Sequence, residues 1–227
     1  MKFFVLISII GSLYLESHSQ TFRVDMIVER DSLFNRKRIV IKDTSKFEYY
    51  HNCSMSQGFK LKSNLPDGVY EVFVNDTFHY RAFYKEKLKD STWTYYYPSG
   101  KISSKITYVA GKENGIYIRY REDGSVITEG YYKDGELEGF HNDFDKDGHK
   151  FRRYLFKNGE KVKQEEFYQN GNLKSEEYFS EGKFNGKNIE YFKNGKISKE
   201  IWYKADKLTR WRWYDENGKI TVDKSFN

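Results

Sequence analysis

The chain has 227 residues and a net charge of +6, from 39 Lys and Arg against 33 Asp and Glu. It holds 20 Tyr, 18 Phe and 4 Trp beside 17 Gly and only 2 Pro, which excludes collagen-like and low-complexity chains and a Leu- and Ala-rich helical bundle. A single Cys excludes an intrachain disulfide framework and any multi-cysteine zinc site.

Residues 1–19 read as a signal peptide. Lys2 opens it, an apolar stretch runs from Phe3 to Leu15, and Ser17 and Ser19 place small residues at alternate positions before Gln20. The apolar run is too short for the roughly 20 residues that span a bilayer. The expectation is an exported mature chain with no transmembrane anchor, in a periplasm, on an outer surface or secreted. Residues 20–66 read as an N-terminal cap with strand-like stretches at Phe22–Val28 and Arg38–Lys42 and an unclear segment from Thr44 to Gln57.

From about Asp67 to the end the sequence repeats itself. Ser99-Gly100, Asp123-Gly124, Asp147-Gly148, Asn170-Gly171, Asn194-Gly195 and Asn217-Gly218 place glycines 24, 24, 23, 24 and 23 residues apart. A second turn follows each of the first five by 11 residues, at Gly111, Gly135, Gly159, Gly182 and Asp206. Gly115, Gly139, Lys163, Gly186 and Arg210 come four residues later. Four residues before each first glycine the chain is aromatic: Tyr96, Tyr120, Phe144, Phe167, Tyr191 and Tyr214. Eight residues after it come Tyr108, Tyr132, Phe156, Phe179 and Tyr203, and two residues after it an aliphatic, with Lys150 the exception.

These columns are the marks of β-hairpins, in which Gly, and Asn or Asp before it, suit turns that need positive φ. Strand alternation puts the +2, +4, +6 and +8 positions on one face. The opposite face then carries charge, with Lys105, Glu129, Arg153, Glu176, Glu200 and Asp223 at +5. A lone hairpin cannot bury its apolar face, so neighbouring repeats must share a sheet. The predicted fold is all-β, an elongated, twisted antiparallel sheet of tandem hairpins over residues 67–227, with the recurring aromatics stacked as ladders.

Little in this pattern suggests chemistry. Asp143-Phe-Asp145-Lys-Asp147-Gly148 matches the front half of a calcium loop, but Tyr154 stands where that loop needs an acid. His141 and His149 flank the same turn, while His51, His79 and Cys53 have no base or oxyanion arrangement around them. Glu165-Glu166 and Glu176-Glu177 fall in strands, where adjacent side chains point to opposite faces. No metal, cofactor or catalytic group is expected. The basic excess is spread evenly, 13 Lys and Arg against 10 Asp and Glu in residues 20–90 and 25 against 22 in 91–227, so nucleic acid is not an expected partner.

The units Tyr191-Phe-Lys-Asn-Gly-Lys-Ile197, Tyr168-Gln-Asn-Gly-Asn-Leu173 and Tyr132-Lys-Asp-Gly-Glu-Leu-Glu-Gly139 resemble the MORN-repeat-variant family. The resemblance covers about residues 67–227 and implies a structural motif with no catalytic residues. Some relatives are labelled YwqK-type antitoxins, which implies a protein that binds and neutralises a toxin. The expected function is non-enzymatic: an exported monomer that binds a protein partner through its sheet. The alternative is a carbohydrate- or envelope-binding module that uses the C-terminal aromatics. Trp202, Trp211 and Trp213 are the candidate contact residues, since Trp is favoured at interfaces and stacks on sugars.

Overall fold

The computed structural model describes residues 7–17, 20–31, 36–41, 60–61, 67–74 and 77–226, with side chains placed for 67–71 and 80–226. His18, His51, Cys53 and the Thr44–Gln57 segment lie outside the described residues, as does the side chain of His79. Every described element is a strand, and among the described residues no helix is long and apolar enough to cross a membrane. The chain forms two compact units, Met1–Lys112 and Glu113–Asn227.

In the first unit the strands are β1 (Ile7–Ser17), β2 (Gln20–Asp31), β3 (Arg36–Ile41), β4 (Lys60–Leu61), β5 (Gly68–Val74), β6 (Thr77–Lys85), β7 (Leu88–Tyr96) and β8 (Ile102–Val109). β2 covers the expected strand-like stretch Phe22–Val28 and β3 covers the described part of the second, 38–41, and the apolar stretch read as a leader contributes β1, paired antiparallel with β2. From β5 to β8 the strands form an antiparallel meander. The β3–β5 pairing, between a cap strand and the first strand of the repeat region, is parallel.

The second unit is a longer meander. Its strands are β9 (Lys112–Tyr120), β10 (Val126–Lys133), β11 (Glu136–Leu137), β12 (Gly139–Phe144), β13 (Lys150–Lys157), β14 (Glu160–Phe167), β15 (Leu173–Ser180), β16 (Lys183–Phe184), β17 (Gly186–Tyr191), β18 (Ile197–Lys204), β19 (Lys207–Tyr214) and β20 (Ile220–Ser225). All of its strand pairings are antiparallel.

The two turn series differ in kind. In the first, Tyr168 N–H donates to Asn172 O and Gly171 N–H to Tyr168 O, a pattern shared by the turns at Gly100, Gly124, Gly148, Gly195 and Gly218. Only the glycine is left-handed there, at φ +82° for Gly171. Contrary to the sequence expectation, the Asn or Asp before it does not share that conformation. At Gly124, Gly171 and Gly195 its side chain caps the turn instead, as where Asn194 Oδ1 accepts from Lys196 N–H at 3.0 Å. The second series holds two-residue turns with both φ values positive, as in Asn158 (+49°) and Gly159 (+77°), the geometry that matches strand twist.

The earliest described turn of this second type uses two side-chain-bearing residues, Glu86 (φ +52°) and Lys87 (φ +60°). Lys87 contributes its backbone N–H to the Asp67 carboxylate, a bond that glycine would keep. Lys87→Gly is therefore expected to stabilise the protein by about 0.5–1 kcal/mol, because the left-handed penalty outweighs glycine's greater unfolded-state freedom. Urea denaturation checks this, and a loss of stability would contradict it.

A bulge in each hairpin alters which residues share a face. The register slips between Phe167↔Leu173 and Glu166↔Ser175, between Tyr191↔Ile197 and Glu190↔Lys199, and at the matching place in the other repeats. The aliphatic +2 column therefore pairs with the aromatic column before the turn, and leaves the face that carries +4, +6 and +8. The sequence reading, which ran one alternation through the whole strand, placed +2 with the others.

Aromatic stacking is interleaved where the sequence suggested unbroken columns. Tyr84 and Tyr108 of successive repeats meet through Trp93 on the strand between them, at centroid distances of 5.4 and 5.2 Å. Phe179 and Tyr203 meet likewise through Phe184, at 4.8 and 5.2 Å. In the first unit this packing is deep: Tyr84 and Trp93 are 0% and 2% exposed.

Candidate functional site

Two cross-strand rows define one face of the second unit. The first runs through the +5 positions, in the register Ile118↔Glu129↔Asn142↔Arg153↔Glu165↔Glu176↔Ile189↔Glu200↔Arg212↔Asp223. The sequence reading took this column as a solvated charged surface, but Glu165, Glu176 and Glu200 are buried. Lys163 Nζ lies 3.0 Å from Glu165 and 2.6 Å from Glu176, and Arg153 also pairs with Glu165. Lys187 Nζ lies 2.9 Å from Glu200. Tyr191 and Tyr214 of the aromatic column donate their hydroxyls to Glu176 and Glu200, each at 2.6 Å.

Burial works against charge on these carboxyls, but the hydrogen bonds from Arg153 and Lys163 to Glu165, from Lys163 and Tyr191 to Glu176, and from Tyr214 and Lys187 to Glu200 outweigh it. All three are held below the usual glutamate value. This row is a structural charge network. Glu165 and Glu166 face opposite ways, as alternation requires, since Glu166 pairs with Arg152 and Lys174.

The second row lies two residues along the strands and begins apolar. Ile116 stands opposite Tyr131, Phe140 stands opposite Leu155, and continuing the Glu129↔Asn142 register brings Tyr131 beside Phe140. Ile116, Tyr131 and Phe140 are 59%, 43% and 51% exposed. Further along, Leu155↔Lys163↔Tyr178 and Lys187↔Trp202↔Arg210 alternate aromatic rings with cations. Exposed apolar side chains in register on neighbouring strands form a contiguous patch, unlike single scattered residues. The sequence signal for it was present: Tyr131, Leu155, Tyr178 and Trp202 each stand seven residues after a first-series glycine, a column the sequence reading did not follow, whereas Ile116 and Phe140 share theirs with Lys163, Lys187 and Arg210.

The three predicted contact residues divide between the faces. Trp202 belongs to the row just described and is half-buried, with the Arg210 and Arg212 guanidinium groups 5.3 and 5.7 Å from its ring. Trp211 and Trp213 flank Arg212 in β19 and so take the opposite face, with ring centroids 6.0 Å apart. Trp213 is the exposed member, while Trp211 is half-buried against Phe226 at 5.2 Å.

Asp145, Asp147 and His149 bring ligand atoms within 4.8 Å of one another around the Gly148 turn. Asp145 Oδ1 accepts from both Asp147 and His149 N–H at 2.9 Å. Asp215 caps the Gly218 turn through Asn217 and Lys219 in the same way, without such a cluster. The acids at 145 and 215 thus share a turn-capping role.

Four segments, residues 89–110, 113–134, 162–181 and 209–227, match the family model described as MORN repeat variant. Each contains one strand, one glycine turn of the first series and the strand that returns from it. The chain carries MORN-variant repeats. No curated protein matches it significantly. The MORN-variant hairpins also continue through residues 135–161 and 182–208, between the matched segments, with the same turns and bulges.

Proposed function

We propose that this MORN-variant repeat protein is a non-enzymatic, exported binding module that docks a protein partner on the face bearing Ile116, Tyr131 and Phe140. The observation that supports this reading is the exposed apolar row in register on neighbouring strands. A flat sheet offers area without a pocket, which suits a protein surface better than a small molecule. Toxin neutralisation in an antitoxin or immunity role is one form such binding takes. The charge network beside it ties neighbouring strands of this face together.

The test is capture from cross-linked native envelope by residues 20–227 of the monomeric chain, read by mass spectrometry. One partner is expected, lost on combining Tyr131→Ser with Phe140→Ser and kept in Trp213→Ala. Both serine changes are on the surface, so the melting temperature should hold. Undiminished capture by the serine variant overturns the assignment of this face. The exposed Trp213 favours one rival, a glycan-stacking surface on the other face. Glycan-array binding sensitive to Trp213→Ala would support that rival.

A further inference from the structure

The exposed row crosses a joint between two hairpins. β13 and β14 share six register pairs in one run, whereas the equivalent joint of β10 is divided, with Tyr132↔Leu137 and Lys133↔Glu136 to β11 beside the turn and only Thr128↔Asp143 and Glu129↔Asn142 to β12. Side chains reinforce this short contact from both faces. Asn142 Nδ2 donates to Glu129 at 3.0 Å, Thr128 Oγ1 donates to Asn142 O at 3.0 Å, and His141 Nε2 lies 2.7 Å from Thr128 Oγ1. With the threonine proton committed to Asn142 O, His141 must donate from Nε2, which leaves Nδ1 as its bare nitrogen.

That nitrogen is sealed. His141 Nδ1 is buried and has no hydrogen-bond partner among the described residues. It rests on Gly130, where an added Cβ would come within 2.7 Å of it. Tyr117 of β9 and Tyr154 and Phe156 of β13 pack around the ring at 6.0 to 6.2 Å between centroids. The charged groups facing it are Arg119 on β9 and Asp143 on its own strand, the latter 3.8 Å from Nε2 and in register with Arg152 of β13.

We propose that His141 is a proton-operated latch on the β10–β12 joint: neutral, it ties β12 to Thr128, and on protonation it opens the joint and breaks the continuity of the docking row. Protonation at Nδ1 creates a buried donor with no acceptor, and such a group costs its full desolvation. Burial lowers the affinity of His141 for the proton, Asp143 opposes this, and Arg119 adds to it. The latch is closed above the ordinary histidine range and is released as pH falls through it toward the lower folded value. The significance of the joint rests on the docking reading, but its opening does not.

Hydrogen exchange of the full chain, corrected for intrinsic rates, tests the latch at pH 7.5 and pH 5.5. Protection of the amides in residues 126–144 should fall about tenfold at the lower pH, while β18 and β19 stay unchanged. His141→Gln keeps a donor toward Thr128 but cannot titrate, so its protection should be level across this range. Unchanged protection in the natural chain, or the same fall in the Gln variant, overturns the proposal. Should the Gln variant fail to fold, an NMR titration of His141 decides instead, and a midpoint at or above that of free histidine is fatal to the latch. None of these measurements includes a partner, so their failure leaves the docking face standing. Failure of the serine test likewise leaves the latch intact.

Discussion

Trp93→Ala is expected to cost about 3–5 kcal/mol, the range for a large ring removed from a core. Trp93 is 2% exposed and touches Tyr80, Tyr84 and Tyr108, each ring centroid lying within 5.9 Å of its own. Its Nε1–H donates to Phe83 O at 3.1 Å, and Lys89 lies 4.4 Å above its ring. Alanine therefore cuts the link between Tyr84 and Tyr108, which belong to successive repeats. Neighbouring side chains stand on a hydrogen-bonded sheet and cannot collapse into the gap. Urea denaturation followed by Tyr fluorescence should show a large fall in midpoint, and a loss under about 1 kcal/mol would mean that the interleaved rings do not hold the repeats together.

Lys163→Met should have the second large effect, and a pH signature of its own. Lys163 is the shared cation of Glu165 and Glu176, and methionine would leave Glu176 with only tyrosine hydroxyls and Glu165 with Arg153 alone. Removing one partner of a fully buried pair costs about 3–5 kcal/mol, and with the lysine side chain still 20% exposed about 2–3 kcal/mol is expected at pH 7. The folded glutamates lie below the usual value of 4.5, so the stability they supply is complete above that value and is lost as pH falls through their folded values. In the methionine variant that contribution is already reduced. Its deficit relative to the natural chain should shrink as the pH is lowered from 5 toward 3. A deficit that is constant with pH would mean that lost packing, rather than unpaired charge, explains the effect.

The hairpin architecture was legible because Gly171 and its equivalents must be left-handed, and that requirement recurs at a fixed spacing. The aromatic columns were legible for a similar reason, since each repeat has to bury a ring at the same place. The faces were harder to read. A bulge between the +2 and +4 positions reverses alternation, and only a pairing partner reveals it. The buried glutamates were missed because the groups that neutralise them lie on neighbouring strands: Glu176 meets Lys163, 13 positions earlier, and Tyr191, 15 later. Read along its own strand, Glu176 looks like a solvated residue. The exposed row was only partly legible: Tyr131 shares a column with Leu155, Tyr178 and Trp202, but Ile116 and Phe140 come beside it only through the register.

The uneven spacing of the repeats has a structural cause. Where the 15th residue after the first glycine is Gly115, Gly139 or Gly186, the interval to the next first-series glycine is 24 residues; where it is Lys163 or Arg210, the interval is 23. The additional residue is taken up at the left-handed glycine, and the downstream pairing is undisturbed. In the register Lys163 and Arg210 stand level with Ile116, Phe140 and Lys187, each of which follows one of those glycines. A single coding triplet gained or lost at the glycine would thus change the length of a repeat while every later row kept its alignment. Such a lineage could vary the length of its units one at a time without refolding the sheet.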